Sequence, residues 1–311
     1  MNQPIVAALQ MTSHADVARN LDTARRLVAR ARAGGACLAV LPENFCFMGR
    51  NEAERRAIVE QDGDGPIQRA VAVMARESGM WIVAGTQPIA VPGDPRPANA
   101  CIVYDAAGKR AARYDKIHLF DVDLPGGREG YRESANAVPG AKPVTVDTPA
   151  GRLGLTVCYD LRFPELFRQL VAEGAEIFSV PSAFTVPTGR AHWEVLMRAR
   201  AIENLCFVIA AAQSGIHDSN RETYGDSLVA DYWGRVLARQ PRGSGVDPRV
   251  LHRGWGRLGA ARERGRVFPL VVAARHRAWL ALGTRRPADR QHVVGSRRGI
   301  DGRRRWTGTI Q

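Results

Sequence analysis

Lysine is nearly missing from this 311-residue sequence: Lys109, Lys116 and Lys142 stand against 41 arginines. Arginine stays locked in its charged form, whereas a lysine amine exchanges its proton and can lie close to a developing oxyanion, so each retained lysine marks a place where an amine is needed or tolerated. Cysteine is scarce as well. The five residues Cys37, Cys46, Cys101, Cys158 and Cys206 are odd in number, lack CxxC spacing and mostly sit inside apolar runs. That pattern excludes a disulfide framework and a zinc ribbon, and it fits a reducing cytoplasm. The histidines show no metal-ligand spacing, so neither a metal nor a cofactor is expected. No apolar run approaches the ~18 residues of a membrane span. The opening PIVAALQM lacks a basic leader and a small-residue cleavage site, and a cytosolic protein without membrane contact is expected.

Acidic balance is missing only from the end of the chain. Residues 242–311 carry 17 arginines against Asp247, Glu263, Asp289 and Asp301, which accounts for the whole net charge of +13, while residues 1–241 are neutral. The segment is rich in Arg and Gly and has no sustained period, so it reads as a disordered or abnormal terminus. A basic arm that binds nucleic acid, with Trp255, Trp279 and Trp306 interleaved among arginines, is the competing and less favoured reading.

The remaining 241 residues alternate apolar runs with helical periods. Residues 4–11 read as a buried strand and 16–32 as a helix with Val17, Leu21, Ala24, Val28 and Ala31 on one face. Residues 37–41 form a central strand that ends in Pro42-Glu43-Asn44-Phe45. A helix at 67–77, a strand at 81–85 and a Pro-rich loop at 88–97 lead to a hairpin (100–104 and 110–114) that delivers Asp115-Lys116. A long polar loop spans 120–140, a length that is usually functional or disordered. Then comes GRLGLTVCYDLRFPELFR, residues 151–168, an apolar run that carries Cys158 to a polar turn opening a helix. A strand at 177–181, a turn-rich loop at 182–189, a helix at 191–204 and strands at 206–211, 227–232 and 235–237 follow. Strands alternating with helices predict α/β layers, and the two hairpins argue against a purely parallel sheet.

Glu43, Lys116 and Cys158 thus stand at the ends of three separate strands, where α/β proteins present reacting groups to a cleft. Each also has an ordinary reading: a solvated loop charge, or a small core hydrophobe. Cys46, among Phe45, Phe47 and Met48, is the rival nucleophile and has no obvious activating charge beyond Glu43.

LPENF, YDKIHLFD and GLTVCYDLRFPELFR together resemble the three signature segments of the nitrilase superfamily, the carbon-nitrogen hydrolases. The likeness extends through PGGREGYRESANAVPG, PSAFTVPTGRAHWEVLMRARAIENLCFVIAAAQ and RETYGDSLVADYWGRVLA, residues 3–241 in all, and is strongest to the Nit branch, which contains deaminated glutathione amidases and ω-amidases. The resemblance implies a four-layer αββα sandwich, a hydrolase domain of residues 1–241, and a homodimer. It implies hydrolysis of a small carboxylate-bearing linear amide, deaminated glutathione foremost, to acid and ammonia through a cysteine thioester. An ω-amidase or an N-carbamoyl amidase is the alternative. The implied roles are Cys158 as nucleophile, Glu43 as general base, Lys116 and the Tyr159 backbone N–H as oxyanion donors, and Glu133 as the acid that orients Lys116. Arg162 is the candidate grip on a substrate carboxylate, unless it bridges to Glu165, and Phe45 is expected to line the pocket. His192 is expected to serve helix and loop packing. The sequence departs from the family pattern at Asp226, where His is common, and from Arg242 onward, where another apolar strand and a short helix are expected. An abnormal terminus that prevents assembly would leave an inactive scaffold.

Overall fold

The helical period of the early chain is realised as α1 (Val17–Ala33), which buries Ala24, Leu27, Val28 and Ala31 and turns its arginines outward. Asp16 caps it by accepting from the Arg19 N–H, a contact that stabilises a helix by about 1 kcal/mol. The structure is a computed structural model and describes residues 4–123, 130–241 and the backbone of 251–253.

The first sheet collects β1 (Ile5–Ala8), β2 (Leu38–Leu41), β3 (Trp81–Ala84), β4 (Gln87–Val91), β5 (Asp94–Tyr104) and β6 (Arg110–Asp115). β1, β2 and β3 run parallel, and β5 pairs antiparallel with β3, β4 and β6. A short antiparallel hairpin, β7 (Asp121–Asp123) with β8 (Gly130–Arg132), precedes the second sheet. That sheet contains β9 (Thr145–Thr148), β10 (Gly151–Leu155), β11 (Ile177–Ser179) and β12 (Phe207–Ala210). A second hairpin, β13 (Ser214–Ile216) with β14 (Glu222–Tyr224), lies before the sheet's last strands, β15 (Ser227–Ala230) and β16 (Val236–Gln240). The order is β16-β15-β12-β11-β10-β9, parallel through β10, β11 and β12.

Helices α1 and α3 (Pro66–Ser78) pack on each other and on the first sheet, while α4 (Pro164–Ala172) and α5 (Val186–Asn204) do the same on the second. β1 packs against β12 and β15, and β6 against β9, so the sheets face one another between the two helix layers. This is the expected αββα order. The central strands are buried on both faces, which is why they read as continuous apolar runs and not as alternating ones.

Three local readings change. The Pro-rich stretch 88–97 is not a loop but the β4–β5 hairpin: Pro88 stands on β4 at the sheet edge, where a missing N–H is tolerated, and Pro95 and Pro97 stand on β5 ahead of residues 100–104, the part that pairs with β3 and β6. The turn-rich stretch 182–189 already contains the first turn of α5, capped by Thr185, with Pro187 in that turn. Gly189 is required there because a Cβ would meet the Tyr224 ring at 2.1 Å. A five-residue helix, α2 (Glu52–Arg56), capped by Asn51, was not legible in the sequence.

Of the arginine-rich terminal segment, only β17 (Leu251–Arg253) is described, and its backbone pairs antiparallel with β1. The remainder of that segment, with the tryptophans of the nucleic-acid reading, lies outside the described residues. Among the described residues no helix is long and apolar enough to cross a membrane.

Candidate active site

Glu43 lies two residues beyond β2, Lys116 directly follows β6, and Cys158 begins a 3₁₀ turn (Cys158–Arg162) just after β10. The two sheets therefore contribute from opposite sides, and a cavity of about 320 Å³ opens between their strand ends. Glu43, Lys116, Glu133, Cys158, Tyr159 and Arg162 all line it.

Lys116 is the centre of the charge arrangement. Its side chain is 1% exposed, and Nζ donates to Glu43 Oε1 at 2.8 Å and to Glu133 Oε2 at 2.8 Å and Oε1 at 3.1 Å. Burial alone would push the ammonium toward neutrality. The carboxylates of Glu133 and Glu43 outweigh it, and the amine is held well above its usual range. Glu133 sits in the 3₁₀ turn Glu133–Ala135, and Glu133 Oε2 also accepts from the Phe120 N–H at 2.6 Å. Asn99 donates its amide to Glu133 Oε1 and accepts from Arg55, which reaches Glu52 at 3.1 Å. Both Glu133 oxygens that orient the lysine are thus fixed by a neighbour.

Cys158 is buried and has φ +50°, the left-handed region that L-residues rarely occupy, so the turn presents its side chain by strain held in place from outside. The Cys158 N–H donates to Pro181 O at 2.8 Å. Burial and then the charge of Glu43 push the thiol well above its usual range, against the pull of Lys116 and of the Ala183 N–H, which bonds the sulfur. The Glu43 carboxylate and the Cys158 thiol line the same cavity, near enough for the charge of one to shift the other. A neutral thiol beside a carboxylate, with an ammonium within reach of both, is the arrangement that general-base activation of a nucleophile needs.

Two supports hold the arrangement. Asp160, fully buried, accepts from Tyr114 OH at 2.7 Å, the Val157 N–H at 2.8 Å, the His118 N–H at 3.0 Å and His118 Nδ1 at 2.7 Å. It ties the Cys158 turn to the segment carrying Lys116. Gln213, just beyond β12, donates to the Glu43 carbonyl at 3.0 Å and to Ser13 Oγ at 2.7 Å, fixing the Glu43 backbone. Asn99, Asp160, Tyr114 and Gln213 were missed in the sequence. Only Asp160, an acid in the turn after the cysteine, carried a signal that a closer reading would have used.

Phe45, expected to line the pocket, does not. It is 0% exposed, belongs to the core of the first sheet and is absent from the described lining. The chain turns after Glu43, so the carboxylate faces the cavity while the aromatic ring packs behind it. Cys46 shares that core: burial pushes its thiol up to about 12, and its sulfur points to Thr86 O at 3.8 Å. Arg162 makes no ion pair with Glu165 or any other carboxylate among the described residues. Its Nη2 lies 3.3 Å from His192 Nδ1, and its guanidinium lies over the rings of Tyr159 and Phe184.

The family model described as Carbon-nitrogen hydrolase matches residues 5–246. The chain is 45% identical to the deaminated glutathione amidase of Yersinia enterocolitica over 242 residues, covering 78% of this chain and 84% of that one. Its fold matches the crystal structure of the Caenorhabditis elegans NitFhit protein with a TM-score of 0.75 at 38% identity, covering 86% of this chain and 65% of that one. It also matches, with a TM-score of 0.69 at 28% identity over 89% of this chain and 100% of that one, a mutant amidase from Nesterenkonia sp. AN1 whose structure shows Michael addition of acrylamide at the active site cysteine.

Proposed function

The chain belongs to the carbon-nitrogen hydrolase family, as an amidase of the nitrilase superfamily, and on that premise we propose that it hydrolyses a small carboxylate-bearing linear amide, deaminated glutathione foremost, through a thioester on Cys158. The observation that carries this reading is Lys116 Nζ held at 2.8 Å by both Glu43 and Glu133 on the wall of the cavity that Cys158 and Arg162 also line.

Cys158 Sγ attacks the amide carbonyl while Glu43 takes the thiol proton. Because the resting thiol is neutral, the proton must leave as the S–C bond forms. Negative charge then develops on the carbonyl oxygen, which Lys116 and the Tyr159 N–H stabilise. The C–N bond breaks, and Glu43 returns the proton to the departing nitrogen. A primary amide releases ammonia, and a secondary amide such as that of deaminated glutathione releases an amine. Water then attacks the thioester, Glu43 takes its proton, and the acid leaves as the thiol is restored. Glu133 keeps Lys116 charged and aimed, a positioning role. Arg162, with no carboxylate of its own, takes the carboxylate of the acyl group.

We also propose that residues 1–241 form the hydrolase domain, that the protein works as a homodimer, and that it resides in the cytoplasm. The dimer is supported by exposed Val195 and Ile202 on α5 beside exposed Trp233, and the reducing compartment by five free cysteines. The test is product release from deaminated glutathione, α-ketoglutaramate and a nitrile, read as acid and amine or ammonia, for the wild type and Cys158→Ala. Turnover of an amide by the wild type and none by the variant is expected. No turnover of any of the three by the wild type overturns the reading.

A further inference from the structure

The cavity holds more positive charge than the reaction uses. Four arginines line it: Arg55, Arg132, Arg162 and Arg221. Arg55 is paired with Glu52 at 3.1 Å, and Arg132 with Asp123 at 2.9 Å. Arg162 and Arg221 have no carboxylate within ion-pairing distance among the described residues. Arg162 is accounted for by the acyl carboxylate, and Arg221 is left over.

Arg221 is held firmly for a residue that neutralises nothing. It closes the turn between β13 and β14, where its carbonyl accepts from the His217 N–H at 2.9 Å and Asn220 adopts a φ of +62°. Arg221 Nη2 donates to Ala183 O at 2.8 Å, and the guanidinium lies 5.2 Å from the Tyr131 ring centroid. Its Nε is buried with no acceptor. A guanidinium fixed by one donor and one aromatic face keeps its remaining N–H groups free for a bidentate partner. Leaving a buried donor unpaired is costly, and a ligand group bound at this guanidinium would offset that cost. The residue to which Arg221 is fastened, Ala183, also presents its N–H to the Cys158 sulfur, so Arg221 is registered to the nucleophile through a single residue.

We propose that Arg221 is a specificity-determining residue that binds a second carboxylate of the substrate, carried on the amine side of the scissile bond. This rests on the amidase reading above. It makes the preferred substrate an amide with acidic groups on both sides of the bond, one held by Arg162 in the acyl portion and one held by Arg221 in the leaving amine. A simple primary amide offers nothing to Arg221 and forgoes that interaction.

The test compares deaminated glutathione with the same molecule whose terminal carboxylate is capped as a carboxamide, so that only the charge on the amine side differs. The wild type is expected to favour the free acid in kcat/KM by roughly 10- to 100-fold, the range for one charge-assisted bidentate contact. In Arg221→Gln the ratio falls to near one. Arg221→Lys, which keeps charge but not the fork, restores part of it. Arg162→Gln lowers both substrates together and keeps the ratio. A purely structural role for Arg221 would also lower both equally, so an unchanged ratio in Arg221→Gln overturns the assignment. Wild-type cleavage of both compounds without preference overturns it as well, while the amidase reading stands. Failure of the wild type to cleave either compound or α-ketoglutaramate overturns the amidase reading and this inference with it.

Discussion

Tyr114 donates its hydroxyl to the fully buried carboxylate of Asp160 at 2.7 Å, joining the end of β6, two residues before Lys116, to the turn that begins with Cys158. The same carboxylate holds His118 from the other side of Lys116, and the His118 ring stacks on Phe163 at 3.6 Å between centroids. One acid thus brackets the amine and sets its distance from the sulfur. The two groups come from different sheets, so without this bracket their separation would follow every adjustment of sheet packing. A positional error of about 1 Å in such a pair can cost ~100-fold in rate.

Asp160→Asn is expected to reveal that coupling. The carboxylate receives four donors, whereas an asparagine keeps one oxygen and turns an N–H₂ toward the other pair of donors. A loss of about 2–4 kcal/mol in stability is expected, with kcat reduced roughly 10- to 100-fold. Tyr114→Phe removes one donor to the carboxylate and the acceptor of the Ile117 N–H at 3.3 Å, and is expected to cost about 1–3 kcal/mol. Urea denaturation alongside kcat checks both variants. A variant Asp160→Asn of wild-type stability and rate would show that the bracket is idle.

Glu133 acts on Lys116 through charge, and the pH profile is where this shows. Glu133 is the leading influence that raises the amine against burial, so its removal lowers the Lys116 pKa. The charged amine then loses its proton at lower pH than before, and the alkaline limb of kcat/KM in Glu133→Gln moves toward neutrality. A fall in kcat of roughly 10- to 1000-fold accompanies it, the range for weakening one oxyanion donor. Profiles of wild type and variant from pH 6 to about 11 decide the matter, a window that reaches past the usual lysine value of about 10.4. An alkaline limb that does not move would mean Glu133 only supports the loop.

What the sequence displayed was whatever depends on a single segment. Glu43 and Cys158 were legible because each follows an apolar run that predicts a strand end, and Lys116 because it follows the second strand of a hairpin. Helix α1 was legible from its period. Contacts between segments were not: Asn99 reaches Glu133 and Gln213 reaches the Glu43 carbonyl, and nothing local announces either. Phe45 was misplaced for the same reason, since which side of a turn faces the cavity is settled by packing and not by adjacency to Glu43. The 88–97 hairpin was hidden by its prolines: Pro88 is accepted at the sheet edge, and Pro95 and Pro97 ahead of the part of β5 that pairs with β3 and β6.

Thiol labelling separates Cys158 from Cys46. Only Cys158 of the two lines the cavity, and Cys46 is 1% exposed in the core with its thiol pushed up to about 12. Iodoacetamide is therefore expected to inactivate the enzyme with modification at Cys158, at a rate that rises with pH because that thiol rests neutral. Substrate should protect it. Labelling of the half-buried Cys37 without loss of activity is compatible with this, whereas inactivation that maps to Cys46 is not.

Below neutrality, stability should depend on His217. This residue is 2% exposed, with Nδ1 2.8 Å from the Ser13 carbonyl and Nε2 2.8 Å from Thr223 Oγ1. A carbonyl only accepts, so Nδ1 carries the proton, and the neutral ring takes its second bond from the threonine hydroxyl. Burial, then the charges of Arg221 and His14, push its pKa down to about 4, against the Ser13 carbonyl and Asp218. The folded value lies below the unfolded one, so between about 6.5 and 4 the unfolded chain binds the extra proton. The contribution is fully present above the unfolded value and is lost as pH falls through that window, by an amount on the order of 3 kcal/mol. Ser13 also bonds Gln213, which holds the Glu43 backbone, so the same loss loosens the base. Urea midpoints at pH 7.5, 6 and 5 should fall steeply for the wild type and more gently for His217→Gln. Parallel declines in the two proteins would assign the acid sensitivity to other groups.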